Sequence, residues 1–247
     1  SGDEPRERGG RKGELAAPSL ESHTVGREEP LATLCTALET VRTGQGRLVC
    51  VSGEPGIGKT TLLDEFLEHL NAEGSAFSSA RGTCSERLAG ADAYLPILEV
   101  LEHLTRRDGE FVARTLKLLA PTWYVRIVSL SAEDSSAERV LDDARTASQE
   151  RMKRELIAFF EELCRTRPVI LFLEDVNWAD VSTVDLLAYI GTQLDSMRLL
   201  IVATYRPTEL LLSDHVFARV KLELQGRGRC HELMLDLLTR TDIDKYL

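Results

Sequence analysis

The run Gly53-Glu54-Pro55-Gly56-Ile57-Gly58-Lys59-Thr60 has the form G-x-x-x-x-G-K-[ST], a spacing suited to holding phosphate. Its glycines permit backbone conformations that side chains forbid, so several N–H groups can converge on one anion. A helix opening at Lys59 would aim its own unpaired N–H groups and partial positive charge at the same point. Lys59 can then reach the β- and γ-phosphates, and the Thr60 hydroxyl, followed by Thr61, is a hard oxygen ligand suited to Mg²⁺. The expected ligand is a purine nucleoside triphosphate with Mg²⁺, ATP first.

A phosphate loop needs an acid to hold the metal, and Glu174-Asp175 closes the apolar run Val169-Ile170-Leu171-Phe172-Leu173. At the carboxyl end of a buried strand the two acids would emerge beside the loop. One acid would hold Mg²⁺ through its water shell and the other would orient or deprotonate an attacking water. The residue types leave open which does which. Arg206 ends the next apolar run, Leu199 to Tyr205, and could touch a γ-phosphate. Trp178 reads as packing and Asp180 as a helix cap. The five histidines form no metal spacing.

The elements that must position these residues follow from periodicity. Leu31, Leu34, Leu38 and Val41 mark a helix with Pro30 in its first turn. Leu48 to Val51 reads as a buried parallel strand. The helix after Lys59 turns Leu62, Leu63, Phe66, Leu67 and Leu70 inward. Residues 76–81 form a weaker strand candidate. Apolar periodicity predicts short helices over 97–104 and 111–119 and a longer one over 147–165. Ser182-Thr183-Val184-Asp185 has capping-box form and opens a further helix. Weaker strand signals fall at 220–224 and 230–235. Strands alternating with helices mean an α/β domain with a mainly parallel sheet. Residues 1–22, rich in Gly, Arg, Glu and Pro, read as a disordered linker or tail, and 23–247 as the nucleotide-binding domain.

Composition narrows the function. A chain of 247 residues with 43% apolar content buries a full core unaided. A net charge of −10 argues against direct nucleic-acid binding. Five cysteines, an odd count without a C-x-x-C pair, point to free thiols in a reducing cytoplasm. No apolar run approaches the ~18 residues a membrane helix needs. A first residue of Ser rather than Met predicts a piece of a longer protein.

Four segments in order, Val25-Gly26-Arg27-Glu28, Gly53 to Thr61, Leu173-Glu174-Asp175-Val176-Asn177-Trp178-Ala179-Asp180 and Ala203-Thr204-Tyr205-Arg206-Pro207, resemble the bacterial AAA-type ATPases of the STAND class, signal-transduction ATPases with numerous domains. The Tyr94-Leu95-Pro96 stretch is similar to this group too. The resemblance covers about 24–247 and implies a three-layer α/β/α P-loop fold. It implies that Val25 and Gly26, with Arg27 nearby, lie against adenine and ribose. It also implies that Gly53 to Thr61 hold the phosphates, that Glu174 and Asp175 are the Walker B pair, and that Arg206 is the first sensor. Where the family usually has Asp at the metal-associated position, this chain has Glu174, and slow hydrolysis is the expectation. A helical lid would begin near 239–247 and be largely missing from this chain. The implied function is a switch set by ATP or ADP inside a larger signalling or transcription-regulating protein, partnered by its other domains and able to self-associate with nucleotide. The alternatives are a binding or oligomerisation module without turnover and a P-loop small-molecule kinase.

Overall fold

The computed structural model describes residues 26–86, 93–131 and 148–236. The chain divides into two units, Arg27–Leu237 and Ser1–Gly26 with Leu238–Leu247. Of the second unit only Gly26 is among the described residues. The expected tail over 1–22, Val25 and the expected start of a lid over 239–247 therefore lie outside them.

In chain order the elements are α1 (Glu28–Arg42), β1 (Arg47–Ser52), α2 (Lys59–Ala72), β2 (Ser78–Thr83), α3 (Leu95–Leu119), α4 (Pro121–Ser131), α5 (Gln149–Thr166), β3 (Val169–Glu174), α6 (Val181–Gln193), β4 (Leu199–Tyr205), α7 (Pro207–Leu212), α8 (Val216–Gly226) and β5 (Cys230–Met234). The five strands form one sheet in the order β2-β3-β4-β1-β5, and every pairing is parallel. Each central strand buries both faces, which is why it reads as a continuous apolar run. Val49, Val51, Ile170, Phe172, Leu200 and Val202 pack with Leu34 and Leu38 of α1 and Leu62 and Phe66 of α2. Alternate residues Cys50, Leu171, Leu173, Ile201 and Ala203 pack on the opposite side, with residues of α3 to α6 and α8. The result is the expected α/β/α layering. No described helix is long and apolar enough to cross a membrane.

Most expected elements form close to their expected bounds, and the differences have physical causes. Residues 220–224, expected as a strand, lie inside α8. The alternation in Val-Lys-Leu-Glu-Leu imitates period two, whereas Phe217, Val220 and Leu224 follow the helical period and face the core. The Ser182 capping box is not the start of α6. That helix begins at Val181, and Asp180, extended at φ −66°, ψ 157°, accepts the Thr183 N–H at 3.0 Å. The cap oxygen has to stand before the first turn, and Asp180 does so while Ser182 is already inside it. The two short helices near 97–104 and 111–119 belong to α3, whose backbone breaks at Gly109 (φ 72°, ψ −148°). Helix α4 carries no clear periodic signal. It is anchored by Trp123, which is fully buried and donates from Nε1 to the Met152 carbonyl at 2.9 Å.

Candidate functional site

Parallel pairing places the carboxyl ends of β1, β3 and β4 along one edge of the sheet, the place where open α/β sheets bind ligands. Strand β1 ends at Ser52 and the chain runs through Gly53–Gly58 into α2. Gly58, the residue before α2, has φ +92°, a left-handed conformation that suits glycine. It gives the helix no side-chain cap, so the first N–H groups of α2 stay available to an anion. Glu54, Pro55 and Gly56 are exposed, Ile57 and Gly58 half-buried, and Thr60 and Thr61 exposed on the first turn.

Lys59 is buried, and its Nζ donates to the carbonyls of Gly53 at 2.7 Å and Glu54 at 3.2 Å. Burial pushes its pKa down, opposed chiefly by the charge of Asp175. Arg27 tightens the same loop from the other side. Its guanidinium is buried and donates to the Ile57 carbonyl. Arg27, expected near the adenine and ribose, thus also contacts the loop that runs from Gly53 to Gly58. Gly26 has φ +81°. The outer end of the loop meets α7, where Thr208 donates to the Glu54 carboxylate at 2.6 Å.

The two acids are separated by a backbone turn. Glu174 is the last residue of β3, and its Oε2 accepts from Thr60 Oγ1 at 2.8 Å. A carboxylate and a hydroxyl in contact at the end of the glycine-rich loop are oxygen donors of the kind that suits a hard divalent cation. Asp175 takes a left-handed conformation (φ 53°, ψ 47°), fixed by its N–H donating to the buried Thr204 hydroxyl at 3.0 Å. The turn sends its carboxylate toward Arg206, whose Nη2 lies 3.5 Å from Oδ2. A non-glycine residue in this region carries strain, a condition found at functional sites.

Each acid thus has an arginine, and each arginine has a second acid. Arg81 of β2 contacts Glu174 Oε1 at 3.1 Å and Asp64 Oδ1 at 2.7 Å. Arg206 contacts Asp175 and, from Nη1, Glu209 Oε1 at 2.7 Å. The Glu209 hydrogen bond pushes the Arg206 pKa up further. Asn177 completes this side, donating to Glu209 Oε2 at 2.6 Å and accepting the Arg206 N–H at 3.2 Å. Trp178 packs against the core and Asp180 caps α6, as expected.

Arg81, Asn177 and Glu209 were not singled out from the sequence. Glu209 had one local signal, its spacing of three residues from Arg206 at a helix start after proline. Arg81 had none, because its partners Asp64 and Glu174 are 17 and 93 residues away and meet it only through the packing of α2 and the pairing of β2 with β3. The expected residues Arg27, Gly53 to Thr61, Glu174, Asp175 and Arg206 gather at one edge.

Comparison with known proteins adds a family. The model for the AAA ATPase domain matches residues 23–202. An uncharacterized protein of Rhizobium meliloti (strain 1021) is 27% identical over 199 residues, which cover 74% of this chain and 18% of that protein. The chain thus spans under a fifth of the length of this relative. Among solved structures, a chain in the structure of Drosophila ORC bound to DNA aligns with a TM-score of 0.45 at 13% identity, covering 98% of this chain and 54% of that one.

Proposed function

The chain belongs to the AAA ATPase domain family, and on that premise we propose that this nucleotide-binding ATPase module binds ATP with Mg²⁺ at Gly53 to Thr61 and hydrolyses it slowly. The observation that carries the reading is the 2.8 Å contact between Thr60 Oγ1 and Glu174 Oε2 at the head of the loop. It supports Glu174 and Thr60 as the residues that hold Mg²⁺. When bound, Mg²⁺ neutralises charge on the phosphate oxygens. Lys59, already inside the loop, supplies a positive charge to the β- and γ-phosphates. Asp175, turned away from Glu174, orients the attacking water and accepts its proton. Arg206 stands beside Asp175 with guanidinium N–H groups to spare and reads the γ-phosphate.

Contacts that exist only with a γ-phosphate make such a site a switch. We assign that role to this domain within a longer protein, of the signal-transduction class with numerous domains. The length of the Rhizobium relative supports a multidomain setting.

Phosphate release under Mg²⁺-ATP tests turnover. Lys59→Ala should abolish both triphosphate affinity and release. Glu174→Gln should raise the Mg²⁺ concentration needed for half-maximal rate. Asp175→Asn should keep binding and lose turnover at saturating Mg²⁺. Full activity in Lys59→Ala would overturn the function, and normal activity in both acid variants would overturn the acid assignment.

A further inference from the structure

Arg206, Glu209 and Asn177 form a closed ring. Arg206 Nη1 donates to Glu209 Oε1 at 2.7 Å, Asn177 Nδ2 donates to Glu209 Oε2 at 2.6 Å, and the Arg206 backbone N–H donates to Asn177 Oδ1 at 3.2 Å. The ring fixes the amide of Asn177. Reversed, it would turn an oxygen toward a carboxylate and an NH₂ toward an N–H. Asn177 is buried, in the short turn Val176–Trp178 that follows the two acids, so the ring is tied to β3 as well as to α7.

A guanidinium carries five N–H donors. Glu209 takes one, and the approach to Asp175 is long at 3.5 Å. The remaining donors include Nε, which is buried and has no hydrogen-bond partner among the described residues. The side chain is therefore held closely by Glu209 and loosely by Asp175, while Nε has no partner among the described residues. A long flexible arginine held this way gives up its rotamer freedom before any ligand binds, which preserves binding energy for the contact itself.

We propose that Glu209, oriented by Asn177, is a positioning residue that aims Arg206 and thereby sets how strongly the site prefers a nucleoside triphosphate over a diphosphate. The inference rests on reading Arg206 as the γ-phosphate contact. Its sign is diagnostic. Removing the Glu209 charge alone would favour the more negative ligand, so an effect of charge raises triphosphate preference. Loss of aim lowers it.

The test is calorimetric affinity for a non-hydrolysable ATP analogue and for ADP, both with Mg²⁺. Glu209→Gln should lower the triphosphate-to-diphosphate preference about tenfold, the scale of a charge-assisted hydrogen bond reduced to a neutral one. Asn177→Ala should act in the same direction, and if its buried position costs the fold, Glu209→Gln still decides the matter. Arg206→Ala should lower the preference at least as far, and adding Glu209→Gln to it should lower it no further, since only the effect of charge, of opposite sign, is left. A preference unchanged or raised in Glu209→Gln overturns the proposal while leaving Arg206 as the contact. A preference unchanged in Arg206→Ala overturns the reading of Arg206 itself.

Discussion

Replacing Arg27 with methionine tests how the phosphate loop is kept in shape. The substitution keeps the buried apolar stem and removes the guanidinium that donates to the Ile57 carbonyl. A hydrogen bond from a charged donor contributes about 1.5–3 kcal/mol. The Ile57 carbonyl is half-buried and regains some water, which places the loss near 2 kcal/mol. At about 1.4 kcal/mol per tenfold change, affinity for Mg²⁺-ATP should fall ~30-fold. The loss should extend to ADP, since the clamp acts on the whole loop. Calorimetry with inorganic tripolyphosphate separates a clamp from a base contact. A clamp predicts that tripolyphosphate weakens as much as ATP, because no base is needed to sense a disordered loop. If ATP weakens and tripolyphosphate does not, Arg27 works on the base or ribose. If neither changes, the clamp contributes nothing, and the reasoning from burial and hydrogen bonding is refuted.

Three further outcomes concern the framework. Asp180→Ala removes the cap of α6 and the acceptor of the Tyr94 N–H at 3.2 Å, and should cost about 2 kcal/mol in denaturant unfolding. In Gly82→Ala the added Cβ would stand 2.0 Å from the Pro96 carbonyl oxygen, which is backbone and cannot swing aside. Forcing β2 from α3 should cost about 3 kcal/mol, a fall in Tm of roughly 6–12 °C by calorimetry. Burial pushes the Cys84 and Cys164 thiols up to about 12, so iodoacetamide at pH 8 should spare both until the chain unfolds. Cys230, lowered by its hydrogen bond with Cys50, should label first by peptide mass mapping. The native state keeps the Cys84 and Cys164 protons that the unfolded chain releases above the ordinary value of 9.0, so their contribution to stability is full below pH 9 and is lost as pH rises toward about 12.

The sequence by itself determined the glycine-rich loop from Gly53 to Gly58, the buried strands and the order of the candidate-site segments along the chain. These features rest on local chemistry: glycine conformation, the reach of a lysine and a threonine, and short apolar runs, bounded by turn residues, that suit parallel strands covered on both faces. It also carried the roles of Trp178 and Asp180. It misread 220–224, where two periods fit a short stretch and only packing against the core chooses between them. What the tertiary structure decided is which groups face one another. Strand order and register bring Arg81 to Glu174, and the left-handed turn at Asp175 sends two adjacent acids to different partners. Neighbouring residues in a strand point to opposite faces by default, but a turn after the strand can aim the next residue anywhere its backbone hydrogen bonds allow. Here the Thr204 hydroxyl on β4 fixes that turn, 29 residues from the N–H it accepts. The division of labour proposed for Glu174 and Asp175, open in the sequence, therefore rests on a contact with a neighbouring strand that no local pattern encodes.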